Sequence, residues 1–424
     1  MRARVPVLLA ATLTAVLTVA PAHALPGDLD PAFSGDGIAT QFPNGAVGTA
    51  VAVDAEGHVV VVGYTVGGGV DVAVARFSRD GTPDPTFGGG DGRVRLDLGA
   101  ADYAFDVAVD GEGGLAIAGE RSTGDGSTGF VLRLGPRGVP AARFGGGDGV
   151  ASVSFGKPFQ GLDAVAFTPK DRIVVGGYSS NGSLSRSTLA RLMPDGRRDR
   201  GFSDDGLFST DLSASGEQVN DVAVLPDGSV LAAGYAEVGL QPAFSLFRVR
   251  GDGTLATGFG DGDGSTLTDV STGADVANAL TVDPEGRIVL AGSASDGGLG
   301  DWGVARFGAG GRLDRTFGTD GVALVRFGSG PDQANDIVAW GARLLLTGDA
   351  HGGAGGDVVV VRLKAGGALD PSFAGDGKAR IDVAGGADDG AGIALLPSGK
   401  IAVGGSAVVS GAYRVLAIRL QNGT

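Results

Sequence analysis

The sequence contains no cysteine. Disulfides, thiolate metal sites, thiol nucleophiles and a lipid anchor on an N-terminal cysteine are all excluded, so stability has to come from packing. Histidine is almost absent as well. His23 falls in the leader described below. That leaves His58 and His351, far apart and without a second His or a Glu at ligand spacing, so no histidine metal site is expected. Glutamate is scarce: only residues 56, 112, 120, 217, 237 and 285 are Glu, and the other 42 acidic residues are Asp. Glu favours helices, whereas Asp and Gly favour turns. With 80 Gly and two Met, helices of any length are not expected.

What is present begins with a targeting pattern. Arg2 and Arg4 form a short positive region, an apolar stretch runs from Val5 to Ala20, and Ala22-His23-Ala24 supplies a cleavage signal. Residues 1–24 are therefore expected to be removed as a signal peptide. The mature chain, 25–424, is expected to be secreted as one soluble, extracellular, monomeric domain with no membrane insertion. Losing Arg2 and Arg4 takes the formal charge from −15 to −17. Such acidity disfavours nucleic acid and anionic membranes as partners.

Internal periodicity organises the rest. A phenylalanine followed shortly by Asp-Gly recurs at Phe33, Phe87, Phe144, Phe202, Phe259, Phe317 and Phe373, at intervals of 54 to 58 residues. An arginine flanked by apolar residues recurs at Arg76, Arg133, Arg191, Arg248, Arg306, Arg362 and Arg419, at intervals of 56 to 58. Each unit reads as four short strands divided by turn signals. In the first unit these are Ile38 to Phe42, Ala50 to Val53, Val59 to Val62 and Val72 to Phe77.

Side-chain character orders the strands. Segments such as Ala50 to Val53 alternate with small residues and suit a crowded innermost position. Continuous apolar runs such as Ile288 to Ala291 suit burial on both faces. Polar, alternating segments such as Arg93 to Leu98 suit an outer edge. Seven such units predict an all-β, seven-bladed β-propeller with four antiparallel strands per blade. The last unit lacks its outer strand and the N-terminus carries one spare, Ile38 to Phe42. Pairing them would complete the seventh blade and leave no open edge.

The segments Leu29 to Gly37, Leu313 to Gly321 and Leu369 to Gly377, with the intervening Pro-Asp/Glu-Gly-Arg-Ile-Val and Val-Ala-Arg-Phe stretches, resemble bacterial delta-60 repeats, the DUF5122 propeller repeat. The resemblance covers essentially the whole mature chain and implies a propeller in secreted bacterial proteins. It brings no catalytic residues to carry over. The Leu-Asp pair is missing at Val139-Pro140 and Leu255-Ala256.

The seven Asp-Gly elements (Asp36, Asp91, Asp148, Asp205, Asp263, Asp320 and Asp376) read as turns rather than calcium ligands. Asp261, Asp263, Ser265 and Asp269 come nearest to a calcium loop but lack the Gly and the bidentate Glu of an EF-hand. The seven arginines are expected to fork onto carboxylates of the Leu-Asp or Asp-Gly elements. The seven phenylalanines are expected to anchor the blades. Binding should sit in what breaks the symmetry, the loops Thr65–Val70, Arg121–Gly129, Ser179–Ser187, Ala236–Ala243, Ser293–Trp302 and Ala350–Gly356. Tyr235 and Trp302 are the candidate ligand-contact residues there.

No catalytic, cofactor or metal residues are assigned and no cofactor is expected. The reading favoured is a secreted, non-catalytic repeat scaffold or binding module for an extracellular protein or glycan. The alternative is a propeller glycosidase or lyase using Asp carboxylates. A calcium-stabilised adhesin would need D-x-D-x-D-G loops, which are absent.

Overall fold

The computed structural model describes residues 24–423 except 240, 297, 298, 329, 331 and 351–355; the expected signal peptide, but for Ala24, and His351 lie outside the described residues. Among the described residues there are strands and turns and no helix, hence no helix long and apolar enough to cross a membrane. Seven four-stranded antiparallel sheets follow one another, each built of sequence-consecutive strands except the last. The chain is a seven-bladed β-propeller.

The innermost strands are Ala46–Val53, Ala101–Val109, Phe159–Phe167, Glu217–Val224, Asp275–Val282, Gln333–Trp340 and Asp388–Leu395, which open blades 1 to 7 in that order. Their neighbours, such as Val59–Thr65 and Val72–Phe77 in blade 1, are buried along nearly their whole length. This is what continuous apolar runs require when sheets press against sheets on both sides. Blade 7 takes its outermost strand from the other end of the chain: Ile38–Gln41 pairs antiparallel with Ala412–Leu420, Ile38 opposite Ile418. The spare N-terminal strand thus closes the ring.

Seven clusters of buried side chains lie between adjacent blades rather than within them. A single sheet cannot shield both its faces, and the core exists only once neighbours are stacked. The repeated phenylalanines sit in these clusters, none more than 3% exposed.

The innermost strands are longer than the sequence suggests. In blade 1 pairing starts at Ala46 and continues through an irregularity at Thr49, where an extra residue breaks the alternation that marks Ala50 to Val53. Four of the segments read as long loops, those in blades 2 to 5, are largely strand where described, whereas Thr65–Val70 is a loop after its first residue. Arg121–Gly129, for example, is a hairpin whose strands run to Thr123 and resume at Gly126. The ring has two faces. The upper carries these second-to-third-strand hairpins, and the lower carries the first-to-second-strand turns and the Asp-Gly corners.

Candidate functional site

The channel wall is shaped by one extra residue in every innermost strand: Thr49, Phe105, Asp163, Asn220, Asn278, Asn335 and Ala391. Opposite each bulge the second strand carries a glycine: Gly63, Gly119, Gly177, Gly234, Gly292, Gly348 and Gly405. A Cβ on any of these would stand 1.9–2.1 Å from a carbonyl oxygen of the innermost strand. The bulge brings backbone against backbone, and only glycine admits it.

Bulge side chains reach from blade to blade. Asn220 Nδ2 donates to the Ala277 carbonyl at 2.8 Å, Asn278 Nδ2 to Ala334 at 2.9 Å, and Asn335 Nδ2 to Gly390 at 3.2 Å. Thr49 Oγ1 donates to Ala104 at 2.9 Å.

The residue after the bulge alternates between Asp and small. Asp106, Asp221 and Asp336 each accept the next backbone N–H of their own strand. Each also accepts one from the following blade, from Val165, Leu280 and Ile393 at 2.7, 2.7 and 2.8 Å. The counterparts in the other blades are Ala50, Ala164, Ala279 and Gly392. These residues surround a cavity of about 120 Å³ on the axis.

Burial pushes the Asp106 carboxyl up to about 6 and the Asp336 carboxyl up to about 7. It raises Asp221 well above the ordinary value, with Asp106 and Asp336 adding repulsion. Asp163 is pushed up to about 7 by burial and then by the charge of Glu120, against a 3.2 Å hydrogen bond from Gln218.

Above the bulges the channel opens into a mouth on the upper face. Its rim is set by the residue after each channel glycine (Tyr64, Glu120, Tyr178, Tyr235, Ser293, Asp349 and Ser406) and by its partner on the innermost strand (Val47, Tyr103, Gly161, Gln218, Val276, Gln333 and Asp389). Tyr413, 47% exposed, stands beside it in the blade 7 hairpin. All five tyrosines of the chain are therefore at one end of the ring, and none is fully buried.

Tyr64 meets Tyr103 edge to face at 5.0 Å, and Tyr103 stacks on Phe105 at 6.3 Å. Tyr178 donates its hydroxyl to Glu120 Oε2 at 3.0 Å, reaching over Gly161, where a Cβ would stand 2.7 Å from its ring. Burial and then Glu120 push the Tyr178 hydroxyl up to about 12. Val47, Tyr64, Gln333, Asp389, Ser406 and Tyr413 are among the walls of a cavity of about 350 Å³ at this mouth.

Of the two sequence candidates, Tyr235 lies on the rim, half-buried, in the Val230–Val238 strand rather than in a loop. Trp302 corrects the expectation. It is fully buried, packs on Phe327 at 4.9 Å and donates its indole N–H to the Asp349 carbonyl at 3.1 Å, leaving no surface for a ligand. The rim tyrosines other than Tyr235 were missed. The available signal was the one position in each repeat that varies directly after a recurring glycine.

Five of the seven repeated arginines are inter-blade clamps. Arg76 donates Nε to Asp84 at 2.6 Å and a terminal nitrogen to the Pro136 carbonyl of the next blade, with its guanidinium 4.5 Å above Phe87. Arg191, Arg306, Arg362 and Arg419 repeat this on Asp199, Asp314, Asp370 and Asp30. Burial opposes ionisation of Asp84 and Asp370. Hydrogen bonds from residues 86 and 372, together with the arginines, outweigh it and hold both carboxyls below the ordinary value. In the two units without the Leu-Asp carboxylate, Arg133 turns instead to Asp110 and Arg248 to Asp227.

Six of the Asp-Gly carboxylates accept the backbone N–H two residues on, Asp263 that of Ser265, as turn residues do. Asp320 instead sits at positive φ. His58, read as lacking nearby ligands, has Asp54 and Glu56 with their ligand atoms within 4.8 Å; Asp71, Asp97 and Asp102 form a second such group. In both groups carboxylates are already engaged: Asp54 with His58 at 2.7 Å, and Asp102 with Leu98 N–H at 2.6 Å and Arg121 at 3.3 Å.

Five segments, residues 55–87, 171–202, 225–259, 284–317 and 343–373, match the family described as "Domain of unknown function (DUF5122) beta-propeller". Each runs from the region of a first-to-second-strand turn to the anchoring phenylalanine, one per blade. The chain belongs to the DUF5122 β-propeller family. Blade 7 of this DUF5122 propeller offers no such continuous segment, because its phenylalanine, Phe33, lies at the opposite end of the chain.

Among solved structures the propeller is similar to Sqt1 of Chaetomium thermophilum, with 13% identity over 92% of this chain and 98% of that one at a TM-score of 0.50. It is also similar to the polysaccharide lyase Uly1, with 10% identity over 89% and 90% at 0.49. The likeness to Sqt1 speaks to the fold alone. No curated protein sequence matches the chain.

Proposed function

We propose that this DUF5122 propeller is a secreted, non-catalytic binding module whose ligand site is the tyrosine-rimmed channel mouth on the upper face. One observation carries the reading. The repeat spends its phenylalanines on blade packing, whereas all five tyrosines stand half-buried or exposed around a single opening. A half-buried tyrosine presents a rigid apolar face and a polar tip at low entropic cost, as recognition surfaces require. The rim positions also differ from blade to blade within an otherwise repetitive frame, which suits an asymmetric ligand.

Soluble-glycan arrays and secreted-protein capture with the mature chain, run in parallel with Tyr64→Ala/Tyr413→Ala, test this. A ligand retained by the parent and lost at least tenfold by the variant is expected. Ligands bound equally by both would move the site elsewhere and sink the reading.

A second reading, a glycan-cleaving enzyme, rests on Asp163. Asp106, Asp221 and Asp336 each accept two backbone N–H groups, whereas Asp163 is met by the Gln218 side-chain amide and lies within the field of Glu120 at the base of the mouth. A buried carboxyl pushed up to about 7 beside a second carboxyl is the raw material of acid–base catalysis. Release of reducing ends from a bound glycan, abolished by Asp163→Asn with binding retained, would replace the binding-module reading with this one.

A further inference from the structure

The mouth and the channel beneath it are rich in carboxylates and contain no Lys or Arg at any of the fourteen paired rim positions or seven bulge positions. The rim contributes Glu120, Asp349 and Asp389; beneath it the raised carboxyls of Asp106, Asp163, Asp221 and Asp336 hold their protons further up the pH scale and add less charge. A funnel of one charge sign with low-dielectric walls focuses its field on whatever enters. Uronates, sulfated sugars and phosphates are therefore repelled from this opening, and a cation is drawn in.

The walls say what kind of cation. A bare metal ion is served by convergent carboxylate oxygens, yet none of the rim carboxylates belongs to a group whose ligand atoms lie within 4.8 Å of one another among the described residues. Instead the cavity sets the exposed ring of Tyr413 and the half-buried ring of Tyr64 beside Asp389, with the Gln333 amide and the Ser406 hydroxyl completing the same wall. Aromatic faces next to a carboxylate hold an ammonium group by its charge and the carbon skeleton behind it by stacking. Neutral amide and hydroxyl groups add donors and acceptors for a hydroxylated ligand. At about 350 Å³ the cavity has room for one sugar ring with its substituents.

We propose that the mouth binds a glycan bearing free amino groups, a glucosamine-type unit whose ammonium faces Asp389 and whose ring lies against Tyr413 and Tyr64. This deepens the binding-module reading and rests on it.

The test is calorimetric titration of the mature protein with four probes: a glucosamine tetramer, its fully N-acetylated form, a glucose tetramer and a lysine tetrapeptide. The glucosamine tetramer is expected to bind at least tenfold more tightly than the other three. Tyr413→Ala and Asp389→Asn should each weaken it tenfold or more with the melting temperature unchanged. Affinity that survives both variants and merely fades with salt would reflect the overall negative charge and overturn the proposal.

Equal binding of the N-acetylated or glucose tetramer, lost in Tyr413→Ala, would overturn the ammonium assignment while leaving the binding module intact. Equal binding of the lysine peptide would overturn the sugar. If no probe, array glycan or secreted protein engages the mouth, both readings fall together.

Discussion

Asp163 stands where blades 4, 5 and 6 place an asparagine that donates its amide N–H to the next blade. A carboxylate cannot donate, whereas a carboxylic acid can. Its upward displacement to about 7, caused by burial and the neighbouring Glu120, means that the folded protein keeps a proton which the unfolded chain releases near the ordinary value of 3.8. Between those limits the folded state binds more protons, so this group makes stability fall as pH rises from about 4 to about 7. Glu217, fully buried and pushed up to about 7 chiefly by burial, acts in the same direction.

Asp163→Asn should therefore stabilise the fold at pH 8 by about 1–2 kcal/mol, less than the full displacement implies because the Asp163 side chain is only partly shielded from solvent. It should also flatten the decline between pH 5 and 8. Urea unfolding at the two pH values measures both, and a variant no more stable than the parent at pH 8 would refute the account. At this scale the sequence was a poor guide. A Trp that opens a strand looks like Trp302 whether it faces solvent or core, and only the closed ring decides.

At the scale of the strand, the bulge and its glycine act as one device. Gly234→Ala would set a methyl 2.0 Å from the Gln218 carbonyl oxygen, with no flexible neighbour to yield. A loss of about 2–3 kcal/mol is expected from such overpacking. At Gly124, in a hairpin turn with open space around it, the same change should stay within about 1 kcal/mol. Thermal melts of the pair make the comparison, and equal losses would show that the close approach is unimportant.

Number, order and type of strands were legible because period-two alternation, continuous apolar runs and turn residues each report a different depth in the blade. Strand ends on the upper face were not. The extra residue at Thr49 and its counterparts scrambles the alternation. The Gly/Ser-rich hairpins also carry loop-like composition although their backbones pair almost to the tip.

For the whole molecule, closure joins the ends of the sequence. Besides the strand pairing, the Asp30 carboxylate takes hydrogen bonds from Arg419 at 2.5 Å, Lys400 at 2.7 Å and Gln421 at 3.0 Å. A chain beginning after Gln41 would lose the outer strand of blade 7 and unpair Arg419 inside the protein. It would also present the long edge of Ala412–Leu420 to solvent. Dimerisation or aggregation is expected at concentrations where a chain beginning at Leu25 is monodisperse, and light scattering would reveal it. A monodisperse truncated chain with an unchanged melting temperature would mean that closure contributes little. This closure was visible in the sequence, since a strand spare at one end and missing at the other has few other places to go.

The alternation of aspartate and small residues around the channel has one more consequence. A two-step pattern cannot run unbroken around an odd number of places, so two residues of one kind must meet somewhere, and here they are the small ones. They meet where Gly392 faces Ala50 and Val51, a contact so tight that a Cβ on Gly392 would stand 2.8 Å from the Val51 nitrogen. In the innermost layer that junction has neither an aspartate bridge nor a bulge side chain able to donate, because Ala391 holds the bulge position. Parity thus assigns the ring a built-in parting line, and the chain puts its own two ends there as the clasp.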